Sequence, residues 1–225
     1  MRFNYWQKFY EGNYYHVYNR ANNRESLFVR NSHYSFFLEK WVTYLDPYLE
    51  TYAYCLMWNH FHFIVRVKTV DDTLKAHIAN EKTAASQKFL NGETLISAFV
   101  EDQFKRLFTS YSSAFNLSEN RRGSLFQKRF KRVQIDNEVA LLNKICYVHH
   151  NPIHHGINPC YDDWRYSSYE SYLSDKPTKI ARIRGLLLFH SILGSVAAFV
   201  KYHLVYQKER MGLKADDDMD IDLTA

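Results

Sequence analysis

The sequence predicts an α+β protein, in which an antiparallel sheet carries helices on one face. Two short β-prone runs, 51–57 and 60–67, are separated only by Trp58 and Asn59, which is typical of an antiparallel hairpin. Helical patterns interrupt the β-prone segments without the regular alternation that a parallel α/β sheet requires. No internal repeat is visible along the 225 residues.

The first half of the chain divides into elements by local pattern. Apolar residues at helical spacing (Phe37, Trp41 and Leu45) indicate an amphipathic helix that Pro47 terminates. Residues 70–98 are polar and Ala-rich, and they indicate one or two weakly amphipathic helices inserted after the hairpin. The predicted elements are a strand at 14–19, a helix at 32–45, the strands at 51–57 and 60–67, and the inserted helices at 70–98.

The second half begins with a clear helix and a loop at 116–123. The stripe of that helix consists of Phe104, Leu107, Phe108, Tyr111 and Phe115. A basic segment follows as a strand, with a bulge or a late start because its aromatic residues and the later Val133 and Ile135 differ in parity. Asp136 is the expected cap of a helix at 138–150. The segment 186–200 is expected to be a buried helix, because it is too short and too interrupted to span a membrane.

Charge and cysteine content exclude several classes of protein. The formal net charge is only +5, and the three cysteines are odd in number and form no Cys-x-x-Cys pair. Free, mostly buried thiols in a reducing compartment fit this usage better than a disulfide scaffold. The start, MRFNYWQKFYEG, lacks the apolar core of a signal peptide. We therefore expect a cytoplasmic protein that does not associate with a membrane.

Two histidines stand one residue apart at the start of an apolar strand. Side chains two positions apart in a strand point to the same face, so His60 and His62 share one face while Phe61 and Phe63 lie on the other. Paired imidazoles can hold a divalent metal, but a closed site needs a third protein ligand. Taken alone, the motif favours an ordinary half-buried strand whose histidines are satisfied by hydrogen bonds.

A basic run without acids extends from 121 to 135, with Phe126 and Phe130 among its cations. Basic and aromatic residues mixed on an extended segment suit a nucleic-acid backbone and its unstacked bases, although a solvated surface explains such a run as well. The six cations are Arg121, Arg122, Lys128, Arg129, Lys131 and Arg132.

The helix at 138–150 carries a tyrosine on its less apolar side. Tyr147 points away from the apolar stripe, and Asn151 follows one turn later with an amide oxygen that could bind a metal. Pro152 leaves two interpretations open, because the residue before a proline is biased away from helical geometry. Either Asn151 lies on the same side of the helix as Tyr147, or it ends the helix. The apolar stripe consists of Leu141, Leu142, Ile145, Cys146, Val148 and His149.

Five blocks occur in order along the chain and together resemble a known family. They are YHVYNRANNRESLF, AYCLMWNHFHFIV, RRGSLFQKRFKR, YVHHNPIHHG and WRYSSY. In this order they resemble the REP-associated tyrosine transposases and related single-tyrosine transposases of the HUH endonucleases, named for His-hydrophobic-His. The resemblance covers about residues 14–172. Trp58 replaces the family's usual Pro or Asp before Asn-His, a departure that touches the turn and not a ligand.

The resemblance implies a ferredoxin-like antiparallel sheet flanked by helices, with the tyrosine helix across the histidine face. It matches His60 and His62 to the metal-binding pair, Tyr147 to the nucleophile and Asn151 to the third metal ligand. Residues 1–175 would form the transposase domain, with a helical insertion at about 70–98 that is longer than in compact members. A helical C-terminal extension at 176–212 and an acidic flexible tail at 213–225 would follow.

The implied function is metal-dependent cleavage and strand transfer of single-stranded DNA next to hairpins. Mg²⁺ or Mn²⁺ would bind the scissile phosphate, and Tyr147 would form a 5′-phosphotyrosine. Arg20 and the cations of the basic run would guide the strand. The expected partner is single-stranded or hairpin DNA, bound by a monomer or a homodimer. The alternatives are a domesticated DNA-binding protein without productive cleavage, and hydrolysis by a metal-bound water that would make Tyr147 dispensable.

Three further groups of residues keep more than one interpretation. Lys144 either influences Tyr147 or phosphate, or is a solvated surface lysine. Tyr15, His16 and the block 164–169 either stack on bases or pack in the core. A separate zinc site is a weaker possibility, since zinc needs a defined tetrahedral geometry. Its ligands would be His149, His150, His154 and His155.

Overall fold

The computed structural model describes residues 4–174, 180 and 191–210, and it confirms the predicted α+β class. Its four strands, all antiparallel, are Tyr14–Arg20 (β1), Leu49–Met57 (β2), His60–Val67 (β3) and Lys131–Ile135 (β4). The strand order β2-β3-β1-β4 places β1 and β3 in the centre. This is the ferredoxin-like order, in which helical segments separate β1 from β2 and β3 from β4.

The helices connect the strands and extend the chain beyond the sheet. They are Asn31–Tyr44 (α1), Asp72–Asn80 (α2), Ala84–Leu90 (α3), Ile96–Ser118 (α4), Glu138–His154 (α5), Tyr169–Leu173 (α6) and Val196–Arg210 (α7). The insertion at 70–98 therefore contains α2, α3 and the start of α4. Among the helices within the described ranges, none is long and apolar enough to cross a membrane.

The alternation along β3 divides the protein into two apolar cores. Phe61 and Phe63 belong to the larger core, together with residues of α1 and α4. The Trp41 ring stacks on Phe63 with centroids 3.5 Å apart, and its indole donates a hydrogen bond to Thr51 Oγ1 at 3.0 Å. A fully buried aromatic pair with a satisfied polar atom holds β3 rigidly from this side.

A second core covers the opposite face of the sheet, where Ile64 of β3 meets α5. Phe199 of α7 and Tyr169 of α6 also belong to this core, and their rings pack on each other with centroids 5.4 Å apart. The expectation of helices on one face only was therefore wrong. The apolar stripe of α5 shares this core with residues of the sheet, α6 and α7.

Several element boundaries differ from the prediction for local reasons. Asn137, and not Asp136, caps α5, because its Oδ1 accepts from Ala140 N at 2.9 Å. The strand of the basic run starts late, at Lys131. The continuous buried helix expected at 186–200 was wrong in its described part, since Gly194 interrupts it with φ 79° and Phe199 is the only buried residue described between 191 and 200. The part of the predicted C-terminal extension at 176–190 lies outside the described residues except at residue 180. The predicted acidic tail at 213–225 lies wholly outside them.

Candidate active site

The turn between β2 and β3 fixes where the histidine strand begins. Trp58 and Asn59 form the turn, and Met57 pairs with His60 across it. The carbonyl oxygen of Trp58 accepts hydrogen bonds from the backbone N–H groups of Leu27 and Phe28, at 2.8 and 3.0 Å. The Trp58 side chain is 43% exposed. The unusual residue of the motif is therefore a surface residue on a turn that backbone hydrogen bonds hold in place.

Both histidines use their Nδ1 atoms in contacts within the protein. His60 Nδ1 lies 2.7 Å from Asn59 Oδ1, and His62 Nδ1 lies 2.9 Å from Nε2 of His16 on the neighbouring strand. An imidazole nitrogen that bonds to an amide oxygen must donate, so His60 carries its proton on Nδ1 and has a lone pair on Nε2. Partners of this kind orient metal-binding imidazoles and set their tautomer.

The histidine cluster is uncharged at neutral pH. Burial lowers the pKa of His60 to about 3, assisted by the nearby His155. Burial also holds the pKa of His62 and of His16 well below the usual value for histidine. A lowered pKa leaves the imidazole neutral at all pH values above it, which is the form that binds a metal ion.

Helix α5 brings Tyr147 onto the histidine face of the sheet. The Tyr147 ring meets the rings of His62 and His16 edge-on, with centroids 5.5 and 5.7 Å apart. Lys144 Nζ lies 5.1 Å from the centroid of the Tyr147 ring, so this lysine contacts the tyrosine and is not a remote surface residue. Tyr147 is only 6% exposed. Tyr147 is thus buried on the less apolar side of the helix, because its ring faces the imidazoles, whereas Asn143 on the same side is exposed.

The structure resolves the two interpretations of Asn151 in favour of the helix. α5 continues through Pro152 to His154, and Asn151 is buried inside it. Proline lacks the N–H that would reach the carbonyl of Val148. Asn151 Nδ2 donates to the carbonyl oxygen of Tyr147 at 2.9 Å and lies 3.5 Å from that of Val148. The amide therefore replaces part of the lost hydrogen bonding, and its nitrogen is turned toward the helix.

Three buried acceptor atoms lie on the histidine strand and on the helix that packs against it. Within the described part of the chain, His60 Nε2, His62 Nε2 and Asn151 Oδ1 are buried and have no hydrogen-bond partner. Asn151 is nevertheless close enough to His60 to raise its pKa against the larger effect of burial. Buried acceptors without a donor are unfavourable unless a cation or another donor lies between them. This donor set, two imidazole nitrogens and one amide oxygen, fits a divalent metal ion.

A pocket of about 290 Å³ opens beside the two histidines. Arg20 and Lys131, both predicted to guide DNA, line it, and so does Arg24, which sequence analysis missed. Arg24 is the last residue of a short 3-10 helix after β1, Asn22–Arg24, and no local pattern distinguishes it from a solvated arginine. The remaining lining residues are Tyr18, Asn19, Trp58, Asn59, His60, His62 and Gln127.

The other cations predicted to bind DNA divide into two groups. Arg121 pairs with Glu25 and donates to the carbonyl oxygen of Ser124 at 2.9 Å, while the buried Arg132 pairs with Glu101 at 2.6 Å. Both guanidinium groups are therefore engaged in holding the fold. The exposed cations are Arg122, Lys128 and Arg129.

Base stacking by the residues considered earlier receives no support from the structure. Tyr15 is fully buried in the larger core, and His16 is bonded to His62. The Trp164 indole donates to the carbonyl oxygen of Leu56 at 3.0 Å, and Tyr166 stacks on Tyr34. These aromatic rings pack within the protein.

The separate zinc site is not formed. His149 bonds to His203 and to Ser168, and His150 bonds to Tyr161. Among the described residues, no group of three or more His, Cys, Asp or Glu side chains is placed to hold a metal ion. His155 instead lies beside His60, with ring centroids 5.1 Å apart.

Comparisons with known proteins agree with the motifs. No family model matches the sequence. A curated protein of Haemophilus influenzae (strain ATCC 51907 / DSM 11121 / KW20 / Rd), named "Putative REP-associated tyrosine transposase", is 28% identical over 122 residues. The match covers 53% of this chain and 58% of the length of that relative.

A solved structure has the same fold. Its description is "Structure of the REP associates tyrosine transposase bound to a REP hairpin", and it superposes with a TM-score of 0.55 at 16% identity over 78% of this chain and 89% of that one. The resemblance that the sequence motifs indicate is therefore confirmed: this chain is a homologue of a curated protein named as a REP-associated tyrosine transposase and has the fold of a solved one.

Proposed function

We propose that this protein is a metal-dependent endonuclease and strand transferase that acts on single-stranded DNA next to hairpins. The observation that carries the proposal is that His60 Nε2, His62 Nε2 and Asn151 Oδ1 are buried without a hydrogen-bond partner among the described residues, with Asn151 close to His60 and the Tyr147 ring against His62. The names of the two relatives, one described as bound to a hairpin, support DNA as the substrate.

The ligands of Mg²⁺ or Mn²⁺ in this proposal are His60, His62 and Asn151. When bound, the metal would withdraw charge from a non-bridging oxygen of the scissile phosphate and orient that phosphate for in-line attack. Because two histidines do not close a site, and no third His, Cys, Asp or Glu among the described residues is placed to hold a metal ion with them, the amide of Asn151 supplies the third ligand.

Tyr147 is the nucleophile. Its phenol oxygen forms a bond to phosphorus while the bond from phosphorus to the 3′ oxygen breaks, which leaves a 5′-phosphotyrosine and a free 3′-OH. The phenol loses its proton during attack, and the departing 3′ oxygen gains one, so charge and atoms balance. Tyr147 is 6% exposed, so its phenol lies in a site from which bulk water is largely excluded. Another DNA 3′-OH can then reverse the step without ATP.

The pocket beside the histidines holds the strand. Arg20, Arg24 and Lys131 line it, and their positive charges suit the phosphates on either side of the scissile bond. Tyr18 lies in the same pocket, where its ring stacks near His62 with centroids 5.6 Å apart. The pocket therefore combines cations with an aromatic ring, as binding sites for single strands do.

The test is to incubate the full chain and hairpin-bearing single-stranded DNA with Mg²⁺ or Mn²⁺. The DNA carries its label at the 3′ end, because the protein keeps the 5′ phosphate of the downstream fragment. We expect an adduct that survives SDS and maps by mass spectrometry to the peptide containing Tyr147. Cleavage without an adduct would favour hydrolysis by water, and binding without cleavage across suitable targets would favour the domesticated DNA-binding protein.

His16 is expected to act on the metal site through His62. For His62 Nε2 to present a lone pair, His62 Nδ1 must donate to His16 Nε2, 2.9 Å away. We expect His16→Ala to weaken Mn²⁺ binding by about 10- to 100-fold, the usual effect of removing such a partner, as measured by calorimetric titration. His16→Gln, whose amide oxygen can accept the same hydrogen bond, should restore most of this affinity.

The matched control is His203→Ala, which removes another buried histidine that bonds to a histidine partner outside the site. It should lower the melting temperature without changing Mn²⁺ affinity. Equal Mn²⁺ affinity in wild type and His16→Ala would show that His16 has only a packing role.

A further inference from the structure

The pocket beside the histidines has an exposed tryptophan in its wall. The Trp58 side chain is 43% exposed, and it lines the 290 Å³ pocket together with His60 and His62. An aromatic side chain can bury about 150 to 250 Å² against a partner, and such side chains dominate the energetics of interfaces. Trp58 therefore presents a large stacking surface at the place where the proposed substrate lies.

The Trp58 ring differs from the tryptophan rings that support the fold. The indoles of Trp41 and Trp164 each donate a hydrogen bond at 3.0 Å, the first to Thr51 Oγ1 and the second to the carbonyl oxygen of Leu56. Among the described residues, by contrast, no hydrogen bond, ring contact or cation contact involves the indole of Trp58. A substitution at this position therefore removes an available ring and none of these supporting contacts.

The turn that carries Trp58 is held in place through its backbone. The carbonyl oxygen of Trp58 accepts from the N–H groups of Leu27 and Phe28 at 2.8 and 3.0 Å, and the carbonyl oxygen of Asn59 accepts from Ala21 N at 2.8 Å. The connection between β1 and α1 is thus tied to the turn near both of its ends. An aromatic side chain on a fixed backbone has only two torsions to order when a ligand binds, so the entropic cost of stacking is small.

Cations line the same pocket as the ring. Arg20 lies at the end of β1, Arg24 ends the 3-10 helix that follows it, and Lys131 begins β4. Within the described residues, no Asp or Glu lines this pocket. Positive charge beside an exposed aromatic ring is the combination that binds single strands, since the cations meet phosphates while the ring stacks on a base. The same charge disfavours a basic peptide as the occupant.

The place of Trp58 in the chain determines which nucleotide it can reach. Trp58 precedes the proposed metal ligand His60 by two residues, and two residues of chain span at most about 7 Å. In the proposed function, the metal at His60 binds the scissile phosphate. A base that reaches the Trp58 ring therefore belongs to a nucleotide beside that phosphate.

We propose that Trp58 stacks on one unstacked base of the single strand, next to the scissile phosphate. This inference rests on the proposed function and adds a substrate-binding residue to it. Because every base has a face on which an indole can stack, the contact does not read the identity of the base. It anchors one nucleotide, and so it sets which phosphate of the strand lies at the metal ligands.

The test combines a protein variant with single abasic sites in the DNA. Trp58→Ala is made in the non-cleaving Tyr147→Phe protein, and both proteins are titrated by fluorescence anisotropy with hairpin-bearing DNA whose single-stranded flank is abasic at one position at a time. We expect Trp58→Ala to weaken binding of the intact DNA by about 5- to 150-fold, the range for loss of one stacked base. At one flank position, the abasic site should cause a similar loss with the parent protein and no further loss with Trp58→Ala.

Two matched variants control this cycle. Trp58→Phe keeps a ring and should retain most of the affinity for intact DNA, whereas Tyr10→Ala removes an exposed ring outside the pocket and should bind every DNA as the parent protein does. The melting temperature of Trp58→Ala should equal that of its parent, because Trp58 is not among the described residues with positive φ and its indole is exposed.

Two results would overturn the stacking assignment. One is equal affinity of Trp58→Ala and its parent for intact DNA, and the other is a further loss with Trp58→Ala at every abasic position. Adduct formation by wild type on the intact DNA is scored separately, so that failure of the stacking contact is distinguishable from failure of the proposed chemistry.

Discussion

Tyr147→Phe is expected to abolish the covalent protein–DNA adduct. The substitution removes one oxygen atom and leaves a ring of the same shape against His62 and His16. Because a phenylalanine ring has no nucleophile, we expect adduct formation to fall by at least about 10³-fold, to background. The measurement is the yield of SDS-resistant adduct on the 3′-labelled hairpin substrate over a time course with Mg²⁺.

Two controls separate chemistry from folding and binding. Tyr10→Phe removes the hydroxyl of an exposed tyrosine outside the site and should leave the adduct yield unchanged. Tyr147→Phe itself should bind the hairpin with the affinity of wild type. An adduct that persists in Tyr147→Phe would mean that another residue is the nucleophile. Unchanged DNA cleavage by this variant would instead favour hydrolysis by water.

His60→Ala is expected to remove metal binding while it preserves the fold. His60 stands at the start of β3, where its ring contacts Asn59 and His155 and not the larger core. Since the loss of a supporting partner already weakens metal sites by 10- to 100-fold, loss of a ligand should weaken Mn²⁺ binding by more than about 100-fold. Calorimetric titration measures the affinity, and the adduct yield should fall in parallel.

Asn151→Ala tests the third ligand separately. It should weaken Mn²⁺ binding in the same direction as His60→Ala, while the exposed His77→Ala should bind Mn²⁺ as wild type does. Asn151 also donates to the carbonyl oxygen of Tyr147, so the melting temperature of Asn151→Ala is measured as well. A folded Asn151→Ala protein with wild-type Mn²⁺ affinity would exclude this amide as a ligand.

The strand that carries the histidines was predictable from sequence, because its side-chain alternation is a local property. Phe61 and Phe63 had to share one face and His60 and His62 the other, and the two cores confirm this division. The tight link at Trp58 and Asn59 likewise left an antiparallel hairpin as the natural connection. Neither observation required knowledge of a partner element.

Residues that reach the site from elsewhere were harder to recognise. His16 was considered as a base-stacking residue, and its contact with His62 arises only because β1 pairs with β3 and not with β2. Gln127 and Arg24 join the pocket through irregular segments whose paths no periodicity describes. Strand order and loop paths depend on contacts between distant parts of the chain, which one sequence does not display.

The chain's own residue pattern was sufficient to determine the paired histidines on one strand face, the tyrosine one turn before Asn151, and the likeness to the tyrosine transposases. Tertiary structure alone decided that Asn151 remains helical despite Pro152, and that Tyr147 faces the imidazoles from a buried position. The physical reason is that a proline bias is a local preference of modest size. Here the buried amide of Asn151 hydrogen-bonds within α5, and packing of that helix between the sheet and α7 outweighs the bias.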